Sequence, residues 1–405
     1  MGVFDRLLGT PEDRFARRVL TAMRDAGVAQ ARYLREQFAI EVRRDSPAEP
    51  PAIAYLGNLF RECARAGRAE RRQRIATFIG ALIFNPGAPQ TWEEVAPLLR
   101  PLLRTVTFGL GVDREAALPL RRPAWAYLAE FVVVDQPTSM IYVTTKQARE
   151  WGVTERTVFD RARRNMAEIA RRTTEASDGP GPRSLIRMVE SGEAYWASHL
   201  FVDGWLAGQR GRVGGPPLLF VPDTTGVLLV GRTADDTPES LGKLFELVER
   251  EYRDAARPIS PMAFTVDGDG EVVPFRPPPG DPMHEVAHRS AVLMANAEYE
   301  AQGRHLKTDA FVAEHGVAQR PDGSVFSWAS WAEGVDTLLP RADFVVFTAD
   351  AGDDEEVAPF FVAWDAVARE VDLEPEPGLE PERYRLRGWP HPGVVERLRR
   401  VATRP

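Results

Sequence analysis

At 405 residues, with 44% hydrophobic and 27% charged side chains, the chain has the composition of a soluble globular protein able to bury two or three cores unaided. Its single cysteine, Cys63, excludes an intrachain disulfide and fits a cytoplasmic setting, and no apolar run approaches the ~18 residues that a bilayer span requires. The net charge of −8 is uneven, because residues 1–125 hold 20 arginines against 14 acidic residues, which leaves −14 for the remainder.

A basic N-terminal part raises the question of nucleic acid. Only Lys146, Lys243 and Lys307 are lysines, however, beside 48 arginines and much Ala, Gly and Pro, a bias that follows GC-rich codon usage. The opening Met1–Gly9 is too short and too charged for a signal peptide, and Arg6 stands where an acylation pattern wants Ser or Thr. It reads as the first turn of a surface helix.

Residues 11–83 are mostly helical by pattern: Phe15, Val19, Leu20 and Met23 recur at helical spacing, as do Tyr55, Leu59, Phe60 and Cys63. Between them, Tyr33 to Val42 fits helix or strand. Arg68, Arg71, Arg72 and Arg74 form the densest basic cluster, read as a solvated helix face because no aromatic residue interleaves with it. Asn85-Pro-Gly-Ala-Pro89 breaks the region, and a helix is expected over Trp92–Leu103.

From Trp125 the pattern turns to strands. Ala126–Val134 and Met140–Thr144 read as a hairpin, followed by a helix with Thr154 as N-cap that buries Val158, Ala162, Met166 and Ile169. A loop is expected over 172–182. Leu185–Val189 reads as a strand, the next segment as an amphipathic helix, and Pro217–Val230 as a buried hairpin with a Pro-Asp-Thr-Thr-Gly turn. A helix over Ser240–Tyr252 and a hairpin over Ala263–Phe275 complete this part. Arg276-Pro-Pro-Pro-Gly-Asp-Pro282 reads as a linker, Pro282–Gln302 as a helix, Ser324–Trp331 and Phe344–Phe347 as strands, and the acidic, Pro-rich 372–383 as a surface crossing.

The element order resembles the bacterial domain-of-unknown-function 1444 family (DUF1444, also called UPF0354). The residues that carry the likeness are Asp135, Tyr142-Val-Thr144, Trp151-Gly152, Ala162 with Asn165-Met166, the segment Gly192-Glu-Ala-Tyr195-Trp-Ala-Ser198, and Val221-Pro222 with Val227-Leu228. The likeness is good over residues 90–278 and loose over 1–90. The pair Gly192-Glu193 replaces the family's Asp before the Tyr-Ala-Ser segment. The resemblance implies a fold and no activity, cofactor or site residue.

The sharpest chemical motif is His284-Glu285-Val286-Ala287-His288. Two histidines at i and i+4 on a helix can hold zinc while the glutamate activates the metal-bound water, with Glu298 or Glu300 as third ligand. Against it, Asp281 and Pro282 read as N-cap and first helical residue, and Glu285 can pair with Arg289 at i+4. Asp267-Gly-Asp-Gly-Glu271 has Pro278 where a calcium loop needs Glu, so it reads as a hairpin turn. Gly208–Gly215 lacks the Gly-Lys-Ser/Thr of a phosphate loop and reads as a flexible connection. Adjacent Ser198 and His199 form no nucleophile–base pair, and Tyr195 and Trp196 are expected in the core.

The expected fold is α+β: a mainly helical region over 1–118, a core with a largely antiparallel sheet over 119–278, and a smaller α+β region over 283–405 with an acidic Pro-rich tail. The expected function is a cytoplasmic binding or regulatory module without catalysis, with no catalytic residue, no cofactor and no membrane or nucleic-acid partner, though a protein partner is open. The alternative is a zinc-dependent hydrolase built on His284, Glu285 and His288. The third reading is a nucleic-acid binder that uses the arginine-rich N-terminal helices.

Overall fold

The computed structural model describes residues 10–28, 30–35, 38–43, 52–64, 66–83, 91–110, 118–136, 139–176, 185–190, 194–232, 238–255, 257–349 and 358–403. The expectations for Met1–Gly9, for the break at 85–89 and for Gly192-Glu193 lie outside these residues. The chain forms two compact units, one of residues 1–101, 112–120 and 131–165, the other of 102–111, 121–130 and 166–405. Strands Leu99–Thr105 and Leu128–Gln136 and the helix Glu155–Ala176 run across three of the cut points, while the cut at 120/121 lies beside the expected division at 118 and none lies near 278.

The first unit begins with helix α1 (Pro11–Asp25), which opens on a reciprocal cap between Thr10 and Asp13. An antiparallel meander follows: β1 (Ala31–Leu34), β2 (Ala39–Val42) and β3 (Ala52–Tyr55). The first two strands settle the stretch Tyr33 to Val42, which fits helix or strand by pattern, and the third takes Tyr55 out of the expected helix. Four-residue strands carry too few periods to be told from a helical turn. Helices α2 (Gly57–Ala64) and α3 (Arg68–Ile83) then pack Leu59, Cys63, Ile75 and Ile79 against Phe15, Val19 and Met23 of α1 and Ile40 of β2. The helix expected over Trp92–Leu103 is only α4 (Trp92–Val95) and a 3-10 turn before β4 (Leu99–Thr105). Pro97 and Pro101 explain the correction, because neither can donate to a helical ladder.

Next come β5 (Arg121–Trp125), β6 (Leu128–Gln136) and β7 (Ser139–Tyr142), with β7 paired antiparallel to β6. Helix α5 (Thr145–Glu150) is capped by Thr144 and Gln147. Thr154 caps the long α6 (Glu155–Ala176), as expected, its hydroxyl accepting from the Thr157 amide at 3.1 Å. Val158, Phe159 and Ala162 pack with Val132, Val134 and Val143.

In the second unit β8 (Leu185–Val189) leads into a 3-10 turn (Trp196–Phe201) and two one-turn helices, α7 (Trp205–Gly208) and α8 (Arg210–Val213). Here a longer amphipathic helix and a flexible Gly-rich connection were expected. Gly204 at φ 69° and Gly214 at φ 75° hold the left-handed conformations that break the run into turns. Strands β9 (Pro217–Asp223) and β10 (Gly226–Gly231), helix α9 (Pro238–Asp254), β11 (Ala263–Val266) and β12 (Val272–Pro274) complete an antiparallel sheet of order β12-β11-β9-β10-β8. Val221, Leu228, Leu229 and Val230 are buried, as the apolar runs require, but the Thr224-Thr225 turn is half-buried rather than exposed. The Asp223 carboxylate accepts from the Thr225 amide and hydroxyl, both at 2.6 Å.

Residues 276–282 lie inside this unit, and a hydrogen bond between the Pro277 carbonyl and His284 ties them to the next helix. Helix α10 (His284–Gly303) starts two residues later than expected, after a turn in which Asp281 accepts from the Met283 amide at 2.7 Å. Beyond it are β13 (Phe311–Val312), β14 (Gly316–Gln319), β15 (Val325–Ala332), β16 (Thr337–Pro340), β17 (Phe344–Thr348), β18 (Phe360–Ala363), helix α11 (Trp364–Glu370), β19 (Arg383–Leu386) and helix α12 (Pro392–Arg400). They form sheets β14-β15-β17-β18 and β13-β16-β19, parallel at β15–β17 and β13–β16 and otherwise antiparallel. The architecture is α+β with mostly antiparallel sheets. Among the described residues no helix is long and apolar enough to cross a membrane.

Candidate functional site

In the first unit, helices α1 and α3 enclose a groove of about 930 Å³. The floor is aliphatic and small. Ile75 and Ile79 are buried at its base, and Ala22, Ala26, Ala76 and Gly80 line it at i,i+4 spacing on the two helices. An added Cβ on Gly80 would meet nothing within 4 Å, so the groove is open space at that point.

Its rim carries Arg18 from α1 and Arg68, Arg71 and Arg72 from α3. Four other arginines of this unit sit on carboxylates: Arg32 and Arg43 on Glu41 at 2.7 and 3.2 Å, Arg35 on Asp13 at 2.7 Å, and Arg74 on Glu70 at 2.6 Å. The four rim arginines have no carboxylate partner among the described residues. Arg71 is nevertheless fixed. It donates to the Cys63 carbonyl at 3.0 Å and the Ala66 carbonyl at 3.1 Å, closing the C-terminal end of α2. Arg18 and Arg71 also line a smaller adjoining hollow of about 210 Å³ floored by Phe15, Phe60 and Cys63. The geometry therefore offers apolar contact along its base and bidentate donors at its edge, a combination suited to an amphipathic anionic partner.

The sequence pointed to Arg68, Arg71 and Arg72 but read them as a solvated face. The groove depends on Arg18, Ala22 and Ala26, some fifty residues upstream, and no local pattern links the two helices. Arg74 of the same cluster pairs with Glu70 and does not line the groove.

In the second unit, the expected zinc motif lies in the first turns of α10. The imidazoles of His284 and His288 stack at 5.9 Å with 5° between their planes. Each has a protein partner: His284 Nδ1 lies 2.9 Å from the Pro277 carbonyl, and His288 Nε2 lies 3.1 Å from Asp343 Oδ2. The Asp343 carboxylate, at the start of β17, also accepts from the Ser327 amide at 2.7 Å and the Ser327 hydroxyl at 2.9 Å. This hydrogen bond to Asp343 raises the His288 pKa. Burial pushes the Asp343 carboxyl up, but the bonds from His288 and Ser327 outweigh it and hold the pKa below the usual range.

The order His–Asp–Ser is wrong for nucleophile activation, because serine meets the carboxylate rather than the imidazole. The set ties α10 to β15 and β17. Arg289 binds Glu249 at 2.8 and 2.9 Å, correcting the expected pairing with Glu285. Spacing allowed the i+4 bond, but the buried Glu249 carboxylate on α9 offers a two-pronged one. Of the other possible zinc ligands, Glu298 is buried and accepts from the Thr107 amide and hydroxyl at 3.1 and 2.8 Å, while Glu300 pairs with Arg304. No group of three His, Cys, Asp or Glu side chains among the described residues could hold a metal ion.

Two further features of this unit escaped the sequence. The first is Arg383, 1% exposed at the end of the segment expected to be a surface crossing. It donates to Gln302 Oε1 at 2.6 Å and to the carbonyls of Ala313, Leu338 and Tyr299 at 2.7, 3.2 and 3.1 Å, with its guanidinium 5.0 Å from the centre of the Tyr299 ring. Burial without a carboxylate lowers its pKa to about 10. The second is His199, buried with its ring 4.8 Å from Trp196 and 4.7 Å from Trp205. Burial lowers its pKa to about 4, and that of His315 likewise to about 4. Beside His199, the Glu190 carboxylate accepts from the amides of Tyr195 and Trp196 at 2.6 and 3.1 Å.

Asp267 anchors the β11–β12 turn as expected, accepting from the amides of Asp269 and Glu271 at 3.0 and 2.9 Å. No family model matches the sequence, and no curated protein or solved structure matches it.

Proposed function

We propose that the protein is a cytoplasmic binding or regulatory module that engages an anionic, partly apolar ligand or partner through the groove between α1 and α3. The observation that carries this reading is the set of four arginines around an aliphatic floor that have no carboxylate partner among the described residues. Exposed guanidinium groups beside apolar surface are typical of recognition sites, where arginine is enriched. The binding reading is favoured over zinc-dependent hydrolysis at His284, Glu285 and His288 because the described residues supply no third ligand beside the two histidines. Kinship with the DUF1444 family belongs to the same proposal. Its support is the succession from Asp135 of β6 through Tyr142 and Trp151-Gly152 to the β9–β10 hairpin.

An anionic apolar dye, anilinonaphthalene sulfonate, tests the groove directly. It should bind the folded protein with enhanced emission, and the double variant Arg68→Glu/Arg72→Glu should lose that binding while melting like the parent. Equal dye binding by parent and variant would remove the groove from the reading.

A further inference from the structure

We propose that the groove between α1 and α3 receives an acidic amphipathic helix of a partner protein. This rests on the groove being the binding surface and adds the chemistry of its occupant. The stretch of α3 from Arg68 to Gly80 is about 18 Å long at 1.5 Å per residue, matching roughly three turns of a docked helix. Ala22 and Ala26 on one wall and Ala76 and Gly80 on the other keep both backbones low, so a third helix can lie close against Ile75 and Ile79.

The arginines on the rim then select for charge. Arg18 stands on α1, Arg68 and Arg72 on α3, so a helix in the groove meets guanidinium groups from both walls. Glutamates flanking its apolar stripe would find two-pronged donors there. Arg71 is already held by the Cys63 and Ala66 carbonyls, so it loses little freedom when a carboxylate arrives.

Two rival occupants fit less well. Ala26 and Ala76 are exposed, so the groove is open along its length and would leave one side of an acyl chain in water. A helix keeps its polar face outward at no such cost. Single-stranded nucleic acid wants aromatic platforms for its bases, and among the described residues no ring lines the larger groove.

The probe is a labelled peptide of about 14 residues with leucines at i, i+3, i+4 and i+7 and glutamates on both flanks. Fluorescence anisotropy with the full chain should show saturable binding that weakens as salt rises. The Arg68→Glu/Arg72→Glu variant should bind at least ~10-fold more weakly, and Ala76→Trp, which fills the trough without touching the charges, should do the same. Thermal melting of both variants checks the fold. A control peptide with lysine in place of glutamate should not bind. The proposal falls if the dye binds but the acidic peptide does not, a result that leaves the groove itself standing. If neither binds, both readings fall. Tighter capture of palmitate or of a single-stranded oligonucleotide at the same arginines also overturns the helical occupant.

Discussion

The guanidinium of Arg383 and those of Arg18, Arg68 and Arg72 carry the same charge in opposite surroundings. Arg383 is sealed in the second unit with four of its five N–H donors on an amide oxygen and three carbonyls, and at 1% exposure it is closed to a ligand. The groove arginines of the first unit face solvent beside apolar floor and have no carboxylate of their own among the described residues. A buried cation that is fully bonded holds elements together, whereas an exposed one without a partner is available. In this chain, burial and bonding separate Arg383 from the groove arginines, while arginine content does not.

The largest expected effect lies on the buried side of that contrast. Arg383→Met should orphan Gln302 Oε1 and the Ala313 carbonyl, take one donor from the Leu338 and Tyr299 carbonyls, and cost about 3–5 kcal/mol in urea unfolding. A loss below ~1 kcal/mol would mean that those acceptors find water and that the site is not structural. Close backbone approach in the same unit gives a second, somewhat smaller effect. Gly316 faces Trp328 across the β14–β15 pair, and a Cβ there would come within 2.3 Å of the indole, so Gly316→Ala should cost about 1–3 kcal/mol.

Histidines sharpen the comparison through pH. His199 is held neutral with its pKa at about 4, below its ordinary 6.5, so its contribution is complete above that ordinary value. The contribution fades as pH falls from 6.5 towards 4. Between pH 7 and pH 5 this one group should remove about 2 kcal/mol of stability, and His199→Gln should show a correspondingly flatter profile. His288, raised by Asp343, works in the other direction. Its contribution is full below 6.5 and is lost as pH rises through the shifted value. A His288→Gln profile that flattens on the acid side instead would contradict the Asp343 contact. The smallest effect belongs to the groove, where Arg68→Ala should change stability by no more than ~0.5 kcal/mol. A larger loss would show that this arginine has a structural partner after all.

Much of the fold was legible because its signals are local. The apolar runs around Val221 and Leu229 specify buried strands, and Thr154 announces the start of α6. Where partners come from far along the chain, the same reasoning runs out. Arg383 sits beside Glu374, Glu376, Glu380 and Glu382 in a Pro-rich run, and nothing nearby signals that Gln302 and Ala313 enclose it. Pro97 and Pro101 argue against a long helix after Trp92, although the apolar residues of that stretch can be read at helical spacing. The groove shows both cases at once: three of its arginines stand together in sequence, while Arg18 and the facing wall come from α1.

The stack of Trp196, His199 and Trp205 has an optical consequence. A protonated imidazole quenches the emission of an indole in contact with it, whereas a neutral ring does so far less. With two indoles against one imidazole that titrates near 4, part of the intrinsic fluorescence should stay constant through the neutral range and dim only in mild acid. The chain thus contains its own lamp for watching the interior of the second unit take up a proton, and a dye on the groove arginines could be followed in the same cuvette at a different wavelength.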